Sequence, residues 1–247
     1  MNNLARHGVI ASSRAAGSTL KNGLVSYWAL DEASGTRADS HTNALDLTDN
    51  NTVTQGVGNT YANAADFEST ASEYLSHADD TLFSPSSISI AMWVKLESLP
   101  TQAIILSKDD SSGTGTNREY IIDYESGPNR FKFFGLYGAG SFSVVTANSF
   151  GAVSSGTWYF IVAIHDQGTG LKISVNGGTQ DTTAFNQTLN NGTAPFSLGC
   201  IFNGATPVAN AFYDGLQGPV SLYDRAITSA EITDLYNAGS GLTYAQL

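Results

Sequence analysis

The chain has 247 residues and a formal net charge of −11, with 41% hydrophobic, 11% aromatic and only 13% charged residues. That length accommodates one large domain with a sizeable core, and so few charges leave Ser, Thr, Asn and Gly to cover the surface, as in secreted or surface-exposed β proteins. The acidic balance excludes nucleic acid and anionic membrane as direct partners by charge repulsion, and no run approaches the ~20 apolar residues of a membrane-inserted helix.

Residues 1–22 read as a basic arm. Arg6, Arg14 and Lys21 are accompanied by no acidic residue, which leaves 8 basic residues against 22 acidic ones in the rest. The apolar run Gly8-Val-Ile-Ala11 is too short for the hydrophobic region of a secretory leader. In isolation so small and polar a segment does not fold, so the expectation is an anchor that a neighbouring chain holds in place.

Residues 23–247 then read as one domain of short β runs punctuated by turn residues. Leu24 to Leu30 opens the series with Tyr27 and Trp28. Ser87 to Leu96 alternates, with Ile88, Ile90, Met92, Val94 and Leu96 on one face. The Gly- and Ser-rich stretch 109–117 reads as a loop, and Glu119 to Glu125 and Arg130 to Leu136 as further strands. Thr157 to His165 is apolar on both faces, as expected of a central strand between layers. Leu171, Ile173 and Val175 alternate with polar residues up to Asn176-Gly177, a pair suited to positive φ and hence to a turn. Cys200, the sole cysteine, lies in the apolar run Pro195 to Phe202 and reads as a buried, unreactive thiol. Leu216 to Tyr223 is the last strand candidate. One helix follows, with Thr228 and Glu231 as a capping box, Ile232, Leu235 and Tyr236 on one face, and Gly239 as terminator. Many short strands with one late helix point to an antiparallel two-sheet sandwich or jelly roll.

Several of these segments, in order, resemble the laminin-G-like, concanavalin-A-like jelly-roll family, particularly its bacterial and phage branch. They are Leu24-Val-Ser-Tyr-Trp-Ala-Leu-Asp-Glu32 with Asp39 beyond it, Ala64-Ala-Asp-Phe67, Tyr74-Leu75, Ser89-Ile-Ala-Met-Trp-Val94, Gly156-Thr-Trp-Tyr-Phe160, Phe212-Tyr-Asp-Gly-Leu216 and Leu222-Tyr-Asp-Arg-Ala-Ile-Thr228. The resemblance implies an all-β jelly-roll sandwich, a fold that hosts lectins, hydrolases and adhesive modules alike. Leu4-Ala-Arg-His-Gly-Val-Ile-Ala-Ser-Ser13 is similar to the opening of some phage structural proteins. Together the two resemblances imply a non-enzymatic virion protein, a head or tail decoration displaying its domain outward. Its partners would be other virion proteins through the arm, further copies of itself in a homo-oligomer, and a host-surface glycan. A free carbohydrate-binding module, extracellular or at a cell surface, is the alternative.

Catalysis has little to stand on. Glycoside hydrolases of this fold carry Glu-x-Asp-x-Glu along one strand, which points three carboxyls into a cleft. Glu119, Asp123 and Glu125 share strand parity here, but Ile121 stands where the pattern wants an acid. His7, His41, His77 and His165 are scattered, with no His-Glu-x-x-His pair for zinc. Calcium fits the oxygen-rich loops better. The resemblance puts Asp39 and Asp214 forward as its ligands, with Asp109-Asp110 as a lesser choice and turn stabilisation as the competing role of such residues. For a sugar, Tyr137, Phe142, Phe202 and Tyr213 lie near loops and are the aromatic candidates.

Overall fold

The computed structural model describes residues 19–112, 115–208 and 211–247. In chain order the strands are β1 Leu24–Trp28, β2 Thr48–Asn50, β3 Thr54–Val57, β4 Asn63–Phe67, β5 Tyr74–His77, β6 Ile88–Leu96, β7 Gln102–Asp109, β8 Arg118–Glu125, β9 Arg130–Tyr137, β10 Ser141–Thr146, β11 Tyr159–Asp166, β12 Gly170–Val175, β13 Asp181–Ala184, β14 Phe196–Leu198, β15 Phe202–Asn203, β16 Thr206–Pro207 and β17 Gly215–Tyr223; helix α1 is Ser229–Tyr236.

The strands pair antiparallel into two facing sheets. The first runs β13-β12-β11-β6-β17-β4-β3, with β1 also on β17; the second runs β10-β9-β8-β7-β14-β5-β2; β15 and β16 form a small separate ribbon. This is the jelly-roll sandwich expected from the strand pattern. β17 changes its outer neighbour halfway: Gly215 to Gln217 pair with β4, and Val220 to Tyr223 pair with β1. Its register on β6 shifts between Gln217 and Val220, where Gly218-Pro219 stand. A proline, lacking an N–H, is tolerated inside a sheet at such a bulge.

The core lies between the sheets. Ile88, Ile90, Met92, Val94 and Leu96 of β6 meet Tyr120, Ile122 and Tyr124 of β8 and Phe131 and Phe133 of β9 in one buried cluster. Period-two alternation fixes this, because a one-residue slip would turn each of these side chains outward. The opposite face of the first sheet is buried too. Ala91, Trp93, Phe160, Val162 and Ile164 are covered by Ile227, Ile232 and Leu235 around α1, and by Leu20 and Leu247 from the two chain ends.

Leu20 is only 1% exposed, and Thr19 Oγ1 donates to Glu231 Oε1 at 3.1 Å. Arg225 Nε donates to the Asn22 carbonyl at 2.7 Å. Residues 19–22 of the basic segment therefore pack on this domain; Arg6, Arg14 and the rest of residues 1–18 lie outside the described residues.

The helix begins as its capping box predicts. Thr228 Oγ1 accepts from the Glu231 N–H at 3.2 Å, and Glu231 Oε2 accepts from the Thr228 N–H at 2.8 Å. It ends earlier than Gly239, at Asn237, whose φ of 47° and ψ of 52° place it in the left-handed region. Asparagine tolerates that region through local side-chain bonding, and here its Nδ2 donates to the Gly241 carbonyl at 2.9 Å. Asn176 and Gly177 do adopt positive φ, 54° and 64°. The β12–β13 ladder closes only at Ile173 with Asp181, so the connection is longer than a two-residue hairpin. Gly177 is held to glycine twice over, since a Cβ would also lie 2.9 Å from the Tyr236 ring.

Candidate functional site

With the outer face of the first sheet covered, the outer face of the second becomes the accessible layer. It carries a groove of about 320 Å³. Strand parity builds the floor: Ile121, Asp123 and Glu125 of β8 alternate with the core-facing Tyr120, Ile122 and Tyr124. Ile104 of β7 and Phe134 and Leu136 of β9 extend it sideways, and Ile201 and Ala211 close over one side. Phe142 of β10 stands at the border, 56% exposed and tilted against Phe134 at 5.8 Å between ring centroids.

The one polar side chain sunk into this floor is Asp123, 0% exposed. Its Oδ2 accepts from Gln102 Nε2 at 2.7 Å; its Oδ1 has no hydrogen-bond partner among the described residues. Burial pushes the carboxyl up to about 7, and Glu125 adds to the rise while the Gln102 amide and Lys132 oppose it. Asp123 is thus an acid poised between neutral and ionised forms near pH 7, with one buried oxygen left unpartnered among the described residues.

The other two carboxyls of the strand are committed. Glu119 Oε1 accepts from buried Lys108 Nζ at 2.6 Å and from the Gly192 N–H at 2.9 Å, and its Oε2 accepts from Ser84 Oγ at 2.8 Å. Lys108 also donates to Asp79 and to the Gly192 carbonyl, which uses its three donors. Glu125 pairs with Lys132. The apolar Ile121 lies on the floor between Glu119 and Asp123, where a hydrolytic trio would need its middle acid. Cys200 is buried and its thiol is pushed up to about 12 by desolvation, which leaves it protonated and inert.

The two residues proposed for calcium stand apart, with no partner in common. Asp39 is spent on turn geometry: Oδ1 accepts from the Tyr27 and His41 N–H groups at 3.0 and 2.9 Å, and Oδ2 from the Leu45 N–H at 3.1 Å. Asp214 accepts from Ser69 Oγ at 3.0 Å and from Ser98 Oγ at 2.6 Å, in a loop cleft at one end of the sandwich. Asp109 holds Arg118 through both oxygens at 2.8 and 3.0 Å, and Asp110 accepts from Ser112, Asn117 and Gly204. The carboxyls that do converge are Asp66, Glu68 and Glu97, with ligand oxygens within 4.8 Å of one another. Burial raises both Asp66 and Glu97; Asp214 adds to the rise at Asp66, Asp66, Glu68 and Asp214 add to it at Glu97, and Lys95 opposes both.

Of the four aromatic candidates, Phe142 reaches solvent at the groove. Tyr213 is wholly buried with its hydroxyl donating to the Leu216 carbonyl at 3.0 Å, Phe202 is buried, and Tyr137 packs against the core. Phe212, the neighbour of Tyr213, points instead into the end cleft. Residue type and spacing do not single out Gln102, and Phe212 enters the sequence reading only as part of the Phe212-to-Leu216 motif, not as a site candidate.

Residues 67–233 match a family described as the concanavalin A-like lectin/glucanases superfamily. The fold is similar to domain 4 of AbnA, a GH43 extracellular arabinanase from Geobacillus stearothermophilus solved with arabinotriose, at a TM-score of 0.62 and 20% identity, covering 85% of this chain and 97% of that one. It is also similar to the binding domain of Paraclostridial Mosquitocidal Protein 1, at a TM-score of 0.72 and 16% identity over 89% of this chain, and to the Trypanosoma rangeli sialidase, at 0.59 and 16% over 87%. The chain spans 53% of the toxin domain and 32% of the sialidase. At these identities the likeness shows the fold. No curated protein sequence matches the chain.

Proposed function

Because the chain belongs to the concanavalin A-like lectin/glucanases superfamily, we propose that it is a carbohydrate-binding jelly-roll module whose ligand lies in the groove on the outer face of the second sheet. The observation that carries this is the groove itself, lined both by buried Asp123 with its unpartnered Oδ1 and by the exposed ring of Phe142. A sugar offers what these two groups lack: a hydroxyl for the carboxyl and a C–H face for the ring. The arabinotriose held by the arabinanase domain of the same fold supports a glycan as the ligand class. Binding without hydrolysis is supported by Glu119 and Glu125 being locked to Lys108 and Lys132.

Retention on immobilised neutral polysaccharides tests the reading. Wild type is retained, and Phe142→Ala weakens retention at least about tenfold, ~1.4 kcal/mol. Equal retention of the two proteins would place the ligand elsewhere. Display on a virion is a second reading, motivated by Arg6, Arg14 and the Leu4-to-Ser13 motif. Removing residues 1–18 should then abolish particle incorporation while leaving glycan retention intact, and undiminished incorporation refutes the anchor.

A further inference from the structure

A lysine is almost never fully buried unless it is paired, and Lys108 is buried to 0% exposure with two carboxyls on its ammonium. Its Nζ lies 2.6 Å from Glu119 Oε1 and 2.7 Å from Asp79 Oδ1. Register builds the walls around it. Lys108 of β7 stands between Phe196 of β14 and Tyr120 of β8, both fully buried, and Phe83 stacks on Phe196 at 4.7 Å between ring centroids. Asp79 follows two residues after His77, the partner of Phe196 on β5, so the chain leaving β5 brings it to the ammonium. The two carboxyls differ. Glu119 is buried and fixed through both oxygens by Ser84 and Gly192, whereas Asp79 is bonded to Lys108 alone among the described residues and keeps its side chain 31% exposed. The pairs Lys132–Glu125 and Lys172–Asp166 lack this arrangement: all four side chains reach solvent, and each lysine meets one carboxyl.

We propose that Lys108 and Asp79 condense after folding into an isopeptide bond within the chain, with Glu119 as the catalytic carboxyl. The freshly folded chain holds the ion pair, and the amide accumulates from it with no co-reactant. One Nζ proton passes to Asp79, which leaves a neutral amine beside a carboxylic acid, the form that a water-poor site favours over two charges. The Nζ lone pair then attacks Asp79 Cγ, which lies one bond beyond Oδ1 and so near the ~3–3.5 Å of a near-attack arrangement. Glu119 takes a second Nζ proton as the C–N bond forms and returns it to the departing Asp79 oxygen as the C–O bond breaks. That oxygen leaves as water with both protons, the third proton stays on the amide nitrogen, and Glu119 ends as it began. Burial raises the Glu119 carboxyl against the opposing pull of Lys108, Ser84 and Gly192, which suits it to holding a proton in transit. Two effects favour the amide. Fixed contact gives amine and acid an effective concentration on the order of 10⁵ M or more, and condensation removes two charges from a site where charge is costly. The exposed side of Asp79 is the exit for the water. The product ties positions 29 residues apart, in a sequence whose sole cysteine, Cys200, has no second cysteine for a disulfide.

Intact-mass spectrometry of the full chain, held warm at neutral pH until its mass stops changing, tests the proposal. Wild type should end lighter by one water, and a protease digest should contain the peptide of Lys108 joined to that of Asp79. Asp79→Asn should reach the same final mass by losing ammonia instead, a result that an ion pair alone cannot give. Asp79→Ala and Glu119→Gln should keep their full mass. Asp79→Ala changes a part-exposed side chain and leaves the Lys108–Glu119 pair in place, so it separates lost chemistry from lost folding. Condensed wild type should also need more urea to unfold than Asp79→Ala. Full mass for wild type at the end point, or a digest that joins Lys108 to any residue other than Asp79, overturns the proposal and leaves the three side chains as an ion-pair network. Water loss undiminished in Glu119→Gln overturns the catalytic role of Glu119.

Discussion

Replacing Asp123 with Asn removes a titrating acid from a buried site and leaves its shape and its bond to Gln102 nearly intact. The consequence for stability follows from linkage. In the unfolded chain this carboxyl ionises near its ordinary value of 3.8; in the folded protein burial raises it to about 7. Between those values the folded state holds a proton that the unfolded state has released, so Asp123 supports folding below about pH 4 and loses that support as pH rises through about 7. A separation of about three units at 1.36 kcal/mol per unit gives a loss of about 4 kcal/mol above pH 7, an upper bound because the groove admits water. The amide does not titrate. Urea denaturation of both proteins across the pH range therefore should show Asp123→Asn more stable than wild type by up to ~4 kcal/mol at about pH 9, with the gap closing at about pH 4. A gap that stays constant with pH, or a variant less stable at high pH, would refute the assignment of Asp123 as a buried acid with a strained ionised form.

Lys108→Met should cost about 3–5 kcal/mol, because it leaves Glu119 buried without its cation; combining it with Glu119→Gln should restore most of that, and urea midpoints read both. His165 lies buried against Phe185, and burial lowers its imidazole against the opposing pull of the Gln187 backbone and Asp166. Its unfolded form therefore gains a proton first as pH falls below about 6.5, and stability falls with it; His165→Leu should flatten that acid branch of the denaturation profile, and an unchanged branch contradicts the buried imidazole. Thr228→Ala should cost about 1 kcal/mol through the lost cap of α1, measured by thermal melting, without altering glycan retention.

Much of the fold was legible because alternation is a local signal: Ile88 to Leu96 states its own inward face, and Thr228 with Glu231 states its own helix start. β7 was not legible. Its Lys108 and Asp109 look like solvent residues until Glu119, Asp79 and Arg118 are brought against them by strands paired in register. The site suffered the same way. Glu119, Asp123 and Glu125 share a face as strand parity requires, yet which of them keeps a free oxygen depends on lysines from two flanking strands. Tyr213 and Phe212 show the limit most plainly: both are aromatic and adjacent, and only the path of the chain into β17 decides that the first is core and the second lines a cleft. Asp39 reads as a ligand or a turn residue by composition; the three backbone N–H groups it accepts from, those of Tyr27, His41 and Leu45, are brought to it only by the folded loop.

Hydrogen-exchange footprinting with and without the best-retained oligosaccharide tests the ligand face most directly. Protection should concentrate on β7 to β10, whose side chains line the groove, leaving α1 and the outer face of the first sheet unchanged. Protection centred on α1 and the chain ends, with β7 to β10 unaffected, would contradict the account.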